Sequence, residues 1–285
     1  MKKKIKRIIL VTGGAGYIGS QTCKLIASKG YYPLTLDNLS NGNRKSVKWG
    51  KLIVGNINNL SLTKKIILKY KPIAIFHFAA LTSVEESQKS PQKYFQNNVN
   101  GSKTLIDIAC KLGIKKFIFS STCAVYGSPK KLPIKLSSQT KPINNYGRGK
   151  LAVENYLKKA FLKYSMSSVS LRYFNACGAD PKLEVGDRDL NSSKLIPRII
   201  FSIMKKKPFF VNGNDYPTKD GTCIRDYIHV SDLAEAHLSA LNFLKKKEGC
   251  FKFNLGSGIG HSILEIIHSI EKYLKIKINY KIKKR

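Results

Sequence analysis

Acid is what this sequence lacks. Its 285 residues hold 17 Asp+Glu against 51 Lys+Arg, a formal net charge of +34. Such a balance raises nucleic acid or an anionic membrane as partners. The placement of the charge argues otherwise. The cations come in scattered twos and threes, as in Lys2-Lys3-Lys4, Lys64-Lys65, Lys115-Lys116, Lys205-Lys206-Lys207 and Lys245-Lys246-Lys247, and not in one arginine-rich stripe. A solvated lysine coat is expected, with weak, salt-sensitive attraction to polyanions and no specific nucleic-acid partner. Long apolar runs are also missing. Ile8 to Val11 is too short for the core of a signal peptide, and no run approaches a membrane span, so a soluble, cytoplasmic chain with no membrane partner is expected. None of the six cysteines (Cys23, Cys110, Cys123, Cys177, Cys223, Cys250) stands in a Cys-x-x-Cys pair. A zinc ribbon or thioredoxin-type redox site therefore has no basis, no metal is expected, and reduced thiols are. Internal repeats and low-complexity linkers are absent too.

What is there is a regular alternation. Strands are predicted over 7–12 (RIILVT), 32–36, 51–54, 73–78, 116–120 (KFIFS) and 167–173. Helices are predicted over 17–28, 60–70, 91–112 with Gly113 as its C-cap, and 146–164. Continuous apolar strands separated by helices predict an α/β fold, a Rossmann-type doubly wound parallel sheet, over residues 1–173. After Phe174 the regularity weakens. Helices over 195–205, 231–243 and 263–274, among loops rich in Asn, Asp, Gly and Pro, predict a second, smaller α/β lobe over 174–285.

Three motifs carry chemistry. Gly13, Gly16 and Gly19 follow the first strand and open a helix. That context suits a dinucleotide: the first glycine allows the tight turn, the second lets a pyrophosphate approach the backbone, and the third lets helix and strand pack closely. Asp37, at the end of the second strand, can accept both adenosine ribose hydroxyls and would repel a 2'-phosphate, which favours NAD over NADP; a turn-forming Asp-Asn is the alternative. Ser120-Ser121-Thr122 ends the fifth strand, on the edge where ligands bind in open α/β sheets. Tyr146 and Lys150, one helical turn apart, complete a constellation in which an ammonium and a cationic nicotinamide could make a phenol into a base. Spacing alone proves nothing, because Tyr126/Lys130, Tyr273/Lys277 and Tyr280/Lys284 share it.

The strings TGGAGYIGS, LDNLSNG, HFAALTSVEES, NNVNGS, SSTCAVYG, YGRGK, LRYFNACGAD, GNDYPTKDGTCIRDYIHVSDLAEAH and FNLGSG run nearly end to end, in order. Together they resemble the UDP-glucose 4-epimerase (UDP-galactose 4-epimerase) family of extended short-chain dehydrogenases/reductases. The resemblance implies an isomerase of galactose metabolism with tightly held, recycled NAD. Tyr146 would take the proton from the carbon-4 hydroxyl as hydride leaves; the 4-keto sugar would swing over and receive the hydride on its other face. Thr122 would bond the sugar oxygen, and Lys150 would support the phenolate and bond the nicotinamide ribose. Gly13, Gly16, Tyr17, Ile18, Gly19, Asp37, Asn38, Asn41, Asn56, Ile57, Phe78, Ala79, Ala80, Asn97, Lys150 and Tyr173 would contact NAD. Thr122, Tyr146, Asn175, Lys194, Leu195, Asn212 and Arg225 would contact the UDP-hexose, with Arg225 on a phosphate; an Arg225–Asp226 ion pair is the alternative. Segments near 225–232 and 250–256 would return to the first domain, and a homodimer would form through the helices over 91–112 and 146–164.

Some residues depart from the family pattern. Asn56 stands where Asp is usual, which keeps an acceptor and loses a charge, so weaker NAD retention is expected. Asn212 stands where an aromatic packs near uracil, and Lys194 where Asn or His is common. The chain stops at INYKIKKR, with Arg285 matching the first of two adjacent arginines, so a substrate lobe lacking its last elements is expected. The rival readings are an inactive NAD-binding or polyanion-binding remnant, a nucleotide-sugar 4,6-dehydratase and a UDP-glucuronate decarboxylase. Cys123-Ala124 after Thr122 offers neither the Asp-Glu of the dehydratases nor the Glu of the decarboxylases.

Overall fold

The computed structural model describes residues 7–129, 131–187 and 194–284; Lys2 to Lys4, Lys130 and Arg285 of the sequence reading lie outside them. Strands β1 (Arg7–Thr12), β2 (Tyr31–Asp37), β3 (Lys51–Val54), β4 (Ala74–His77), β5 (Lys116–Ser120) and β6 (Ser167–Tyr173) come first. Then follow β7 (Asn175–Cys177), β8 (Phe209–Asn212), β9 (Ile224–His229), β10 (Cys250–Leu255), β11 (Gly260–Ser262) and β12 (Tyr280–Lys283). The helices are α1 (Tyr17–Ser28), α2 (Leu60–Tyr70), α3 (Val84–Lys89), α4 (Pro91–Tyr94), α5 (Gly101–Lys111), α6 (Asn145–Tyr164), α7 (Leu195–Met204), α8 (Val230–Phe243) and α9 (Ile263–Leu274).

One parallel sheet of seven strands, in the order β10-β6-β5-β4-β1-β2-β3, forms the centre, and β10 reaches it from late in the chain to pair with β6. Alternate residues of each central strand serve opposite faces. On one face Leu10, Leu34, Leu36, Ile75, Phe117 and Phe119 pack with side chains of α2, α5 and α6. On the other, Ile9, Val11, Phe76, Ile118, Val169 and Leu171 pack with side chains of α1 and α8. Both faces are covered, which is why the strands read as continuous apolar runs.

The remaining strands form two small sheets, β11-β9-β7 and β12-β8. A third apolar cluster around Ile199, Phe209, Val211, Ile267 and Ile278 holds α7, α9 and the two-stranded sheet. Polar side chains set the helix starts: Asn59 caps α2, Asn144 caps α6, and Ser262 with Glu265 closes a capping box on α9.

The predicted helix over 91–112 is a compound one. Pro91–Tyr94 is α-helical, Phe95–Asn100 is a π-helical segment, and α5 follows, ending at Lys111 with Gly113 at φ 79°. The π segment carries Asn98, whose side chain accepts from Leu81 N at 2.8 Å and donates to Leu81 O at 2.8 Å. It thereby ties down the loop after β4. No described helix is long and apolar enough to cross a membrane.

Candidate active site

The carboxyl ends of β1, β2, β4 and β5 converge on one edge of the sheet. Gly13, at φ 74°, turns the chain out of β1, and a Cβ there would stand 2.5 Å from Ala79 N after β4. A side chain is thus excluded both by conformation and by space. Gly16 caps α1 without any side-chain bond, and the first turn holds no acidic residue. The helix start therefore presents uncovered backbone N–H groups and the positive end of its dipole, a fit for a pyrophosphate. Tyr17 and Ile18 are half-buried in that first turn, and Gly19 is buried. Asp37 is buried, and its two carboxylate oxygens accept from Ala15 N at 3.0 Å and Leu39 N at 2.8 Å. It fixes the glycine loop and keeps lone pairs for ribose hydroxyls.

The other residues expected to contact NAD stand in varied states. Phe78, Ala79 and Ala80 are half-buried after β4, with Phe78 N and Ala79 N both donating to Thr12 O. Asn38 and Asn41 are exposed in the loop after β2, and Asn38 accepts from Ser40. Asn56 is exposed and accepts from Asn58 N at 2.9 Å, and Ile57 beside it is buried. Asn97 donates to Asn98.

At the end of β5 the catalytic candidates meet. Asn144 caps α6 by accepting from Gly147 N at 2.7 Å. A Cβ on Gly147 would lie 2.6 Å from Ala124 O, so only glycine lets the helix start press on the 3-10 turn Cys123–Tyr126 that Thr122 opens. Lys150 is buried, donates to Ser120 O at 2.8 Å, and sits 5.8 Å from the centre of the Tyr146 ring. Burial lowers its pKa to about 7, against the pull of Glu154. The Tyr146 phenol is pushed up, first by burial and then by Tyr173 and Cys123, while its hydrogen bond with Thr122 works the other way. Tyr173, bonded to the Ser120 hydroxyl, is raised by burial to about 12. With protein groups alone, burial drives both the phenol and the ammonium toward neutrality. A positive charge beside the ring is what would favour the phenolate.

Of the four Tyr-x-x-x-Lys spacings, the helix α6 pair is the one that forms a helical neighbour pair among the described residues. Tyr126 ends a 3-10 turn, α9 stops between Tyr273 and Lys277, and Tyr280 starts a strand.

The substrate candidates divide. Asn175 on β7 donates to Asp226 O at 2.8 Å, and Arg225 stands next to it on β9. Arg225 is exposed and donates to Ile224 O; the Asp226 carboxylate accepts from Ser257 and Gly258, so no ion pair joins the two. The charge of Arg225 acts on Cys123, whose thiol burial raises to about 11 and Arg225 draws down. Lys194, which caps α7 ahead of the half-buried Leu195, lies 5.2 Å from the Tyr17 ring and bonds Asp187 at 2.7 Å. Asn212 ends β8 on the two-stranded sheet, exposed, and apart from the sheet that carries Asn175 and Arg225.

Sequence reasoning missed the layer behind the site. Glu154, Arg172, Ser121 and Tyr126 form a buried polar network. His77 bridges Thr12 at 2.6 Å and Ser102 at 2.7 Å, held neutral by burial with its pKa near 3. The spacing Tyr146–Lys150–Glu154 was a usable signal.

Residues 9–256 match the model of the NAD dependent epimerase/dehydratase family. The chain is 46% identical over 272 residues to a UDP-glucose 4-epimerase of Rhizobium meliloti, covering 95% of this chain and 83% of that protein. It is 42% identical to a UDP-glucose 4-epimerase of Lacticaseibacillus casei, covering 93% of this chain and 80% of that protein. Among solved structures, the Brucella ovis UDP-glucose 4-epimerase in complex with NAD superposes with a TM-score of 0.95 at 44% identity, over 98% of this chain and 86% of that one. The Stenotrophomonas maltophila UDP-glucose 4-epimerase, with bound NAD and formylated UDP-arabinopyranose, gives 0.94 at 35% identity, over 98% and 86%.

Proposed function

As this chain belongs with the UDP-glucose 4-epimerases of the NAD dependent epimerase/dehydratase family, we propose that it interconverts UDP-glucose and UDP-galactose by NAD-dependent inversion at carbon 4 of the hexose, through a 4-keto sugar. The observation that carries this reading is the seam where Tyr146, Lys150 and Thr122 meet at the end of β5, beside the cradle of Gly13 and Gly16. NAD, when bound, supplies the acceptor and then the donor of the carbon-4 hydride, and a positive charge near the phenol.

The chain's own residues do the rest. Gly13, Gly16, Tyr17, Ile18 and Gly19 receive the pyrophosphate, and Asp37 the ribose. Asn38, Asn41, Asn56, Ile57, Phe78, Ala79, Ala80, Asn97 and Tyr173 complete the cofactor's surroundings. Tyr146 as phenolate takes the proton of the carbon-4 hydroxyl and later returns it. Lys150 stabilises the phenolate, and Thr122 orients the sugar oxygen. Asn175, Lys194, Leu195, Asn212 and Arg225 hold the nucleotide end, with Arg225 on the diphosphate. Inversion requires the hexose to present both faces in turn. A firm grip on the diphosphate with few anchors on the sugar satisfies that requirement.

We assign cofactor binding to residues 1–173 and the UDP-sugar to 174–285, with the segments near 225–232 and 250–256 returning to the first part. A homodimer through the helical runs 91–112 and 146–164, and a cytoplasmic setting suited to six free thiols, belong to the same proposal. Light scattering tests the dimer. Incubation of purified protein with UDP-galactose, with assay for UDP-glucose, tests the activity. Turnover is expected, and its absence with NAD bound sinks the reading.

A further inference from the structure

Beyond Tyr146 and Lys150, α6 carries a third polar side chain at the same spacing, and the reaction set out above does not use it. Glu154 follows Lys150 by one turn, and its side chain is fully buried in a chain poor in acid. Oε1 accepts from Ser121 Oγ at 2.6 Å and from Arg172 Nε at 2.9 Å; Oε2 accepts from a terminal nitrogen of Arg172 at 2.6 Å. Lys252 Nζ stands 3.9 Å from Oε2. Arg172, itself buried on β6, donates with its other terminal nitrogen to the Tyr126 hydroxyl at 2.8 Å, and that hydroxyl donates to Asn254 Oδ1 at 2.7 Å. Three α6 side chains, one turn apart, thus meet three consecutive residues at the end of β5. Tyr146 lies beside Thr122, Lys150 bonds the Ser120 carbonyl, and Glu154 bonds the Ser121 hydroxyl.

We propose that Glu154, locked by Arg172, is a positioning residue for the Tyr146–Lys150 pair: it fixes the register of α6 on the end of β5 and sets a carboxylate one turn beyond Lys150. The proposal rests on the reading of that pair as the catalytic one. A buried ion pair rarely adds net stability, because desolvating two charges offsets their attraction. What a bidentate, fully bonded pair does add is fixed geometry. A misplacement of about 1 Å at a reacting group costs on the order of a hundredfold in rate.

The groups around Lys150 give the charge argument its sign. His77 on β4 is neutral, and Tyr173 on β6, bonded to Ser120, is neutral. Tyr146 lies on its own helix, Tyr94 lies near Tyr146 from α4, and Arg172 and Lys252 stand behind Glu154. Among these groups Glu154 is the anion. It opposes the burial that draws the Lys150 proton off. Replace the carboxylate with a neutral group, and Lys150 loses that attraction and releases its proton at lower pH. A neutral amine no longer supports the phenolate, so the alkaline limb of the rate profile moves to lower pH as well.

The test is Glu154→Gln in the full chain loaded with NAD. The expected kcat for UDP-galactose falls roughly ten- to a hundredfold, while KM stays within about twofold because Glu154 does not touch substrate. Heteronuclear NMR of isotope-labelled lysine, assigned with Lys150→Met, should place the Lys150 titration at lower pH than in the parent, with the alkaline limb of kcat following. Glu154→Gln also strands the Arg172 charge and lowers Tm. The double variant Glu154→Gln/Arg172→Met removes that charge; it should regain Tm and keep the low kcat and the shifted titration. Two results overturn the proposal: a parental kcat and Lys150 titration in Glu154→Gln, or a double variant whose recovered Tm brings both back. If the parent chain itself does not turn over UDP-galactose, the functional reading fails, and the Lys150 titration still judges the role of Glu154.

Discussion

Two arginines divide this molecule into two kinds of region. Arg172 lies in the seam between β5, β6 and α6, buried, with its three side-chain nitrogens engaged by Glu154 and Tyr126. Arg225, on the small sheet β11-β9-β7, is exposed and bonds only the carbonyl of its own neighbour, Ile224, among the described contacts. Around Arg172 the side chains of Lys150, Thr122 and Ser121 are buried and bonded in place; Ile224 and Asp226 on either side of Arg225, and His261 across from it, are exposed or half-buried. The difference suits two tasks. Groups that act on charge developing in a transition state work best when fixed in advance. Groups that grip a phosphate can stay solvated until it arrives, because a guanidinium fork needs little further organisation to bind one. The two regions should therefore fail in different kinetic parameters.

The sharpest break lies on the fixed side. Tyr146→Phe keeps the ring and removes the hydroxyl proposed to exchange the proton. Loss of a general base costs about 10²- to 10⁴-fold in rate, so kcat for UDP-galactose should fall by that range. KM, NAD content and Tm should stay near their parental values, as measured by initial rates, cofactor release on denaturation and thermal unfolding. A variant that turns over at the parental rate would remove Tyr146 from the chemistry.

On the solvated side the expected loss is in binding. Arg225→Met retains the length of the stem and removes the charge-assisted hydrogen bond proposed to the diphosphate, worth about 1.5–3 kcal/mol, so KM should rise roughly ten- to a hundredfold with kcat changed only a few-fold. The rise should shrink as salt is added, since an exposed charge is screened. A collapse of kcat at unchanged KM would erase the distinction between the two regions.

That division also tracks what the sequence could tell. The six strands of the first 173 residues were legible because burial on both faces writes continuous apolar runs, and α1, α2, α5 and α6 because each covers one face, while the short α3 was not predicted. β7 and β11, of three residues each, are too short to show a period, and the polar segment 95–100 hides a π turn inside a helical pattern. Tyr146 and Lys150 were legible only in context, since three other pairs share their spacing. Glu154 was marked only by its spacing from Tyr146 and Lys150, which does not show its burial or its partner. An acidic residue on an amphipathic helix is ordinarily solvated, and the partner that buries it, Arg172, lies on a strand 18 residues away. Nothing local marks the two as a pair.

The smallest effect concerns the same contrast within the cofactor cradle. Asp37 is buried, with both oxygens accepting backbone N–H groups; Asn56, at the same edge of the sheet, is exposed and holds only the turn to Asn58. Asn56→Asp keeps an oxygen for that turn and adds a charge where an adenine amino group would donate. A hydrogen bond gains modestly when its acceptor becomes charged, and water screens much of the gain at an exposed site. The expected result is a tightening of NAD binding by about two- to fivefold, on the order of 1 kcal/mol or less. It would be read as slower loss of NAD on dilution, with kcat at saturating NAD unchanged. Equally slow loss in an Asn56→Ser control, which adds no charge, would mean that the turn, and not the acceptor, sets retention at this edge.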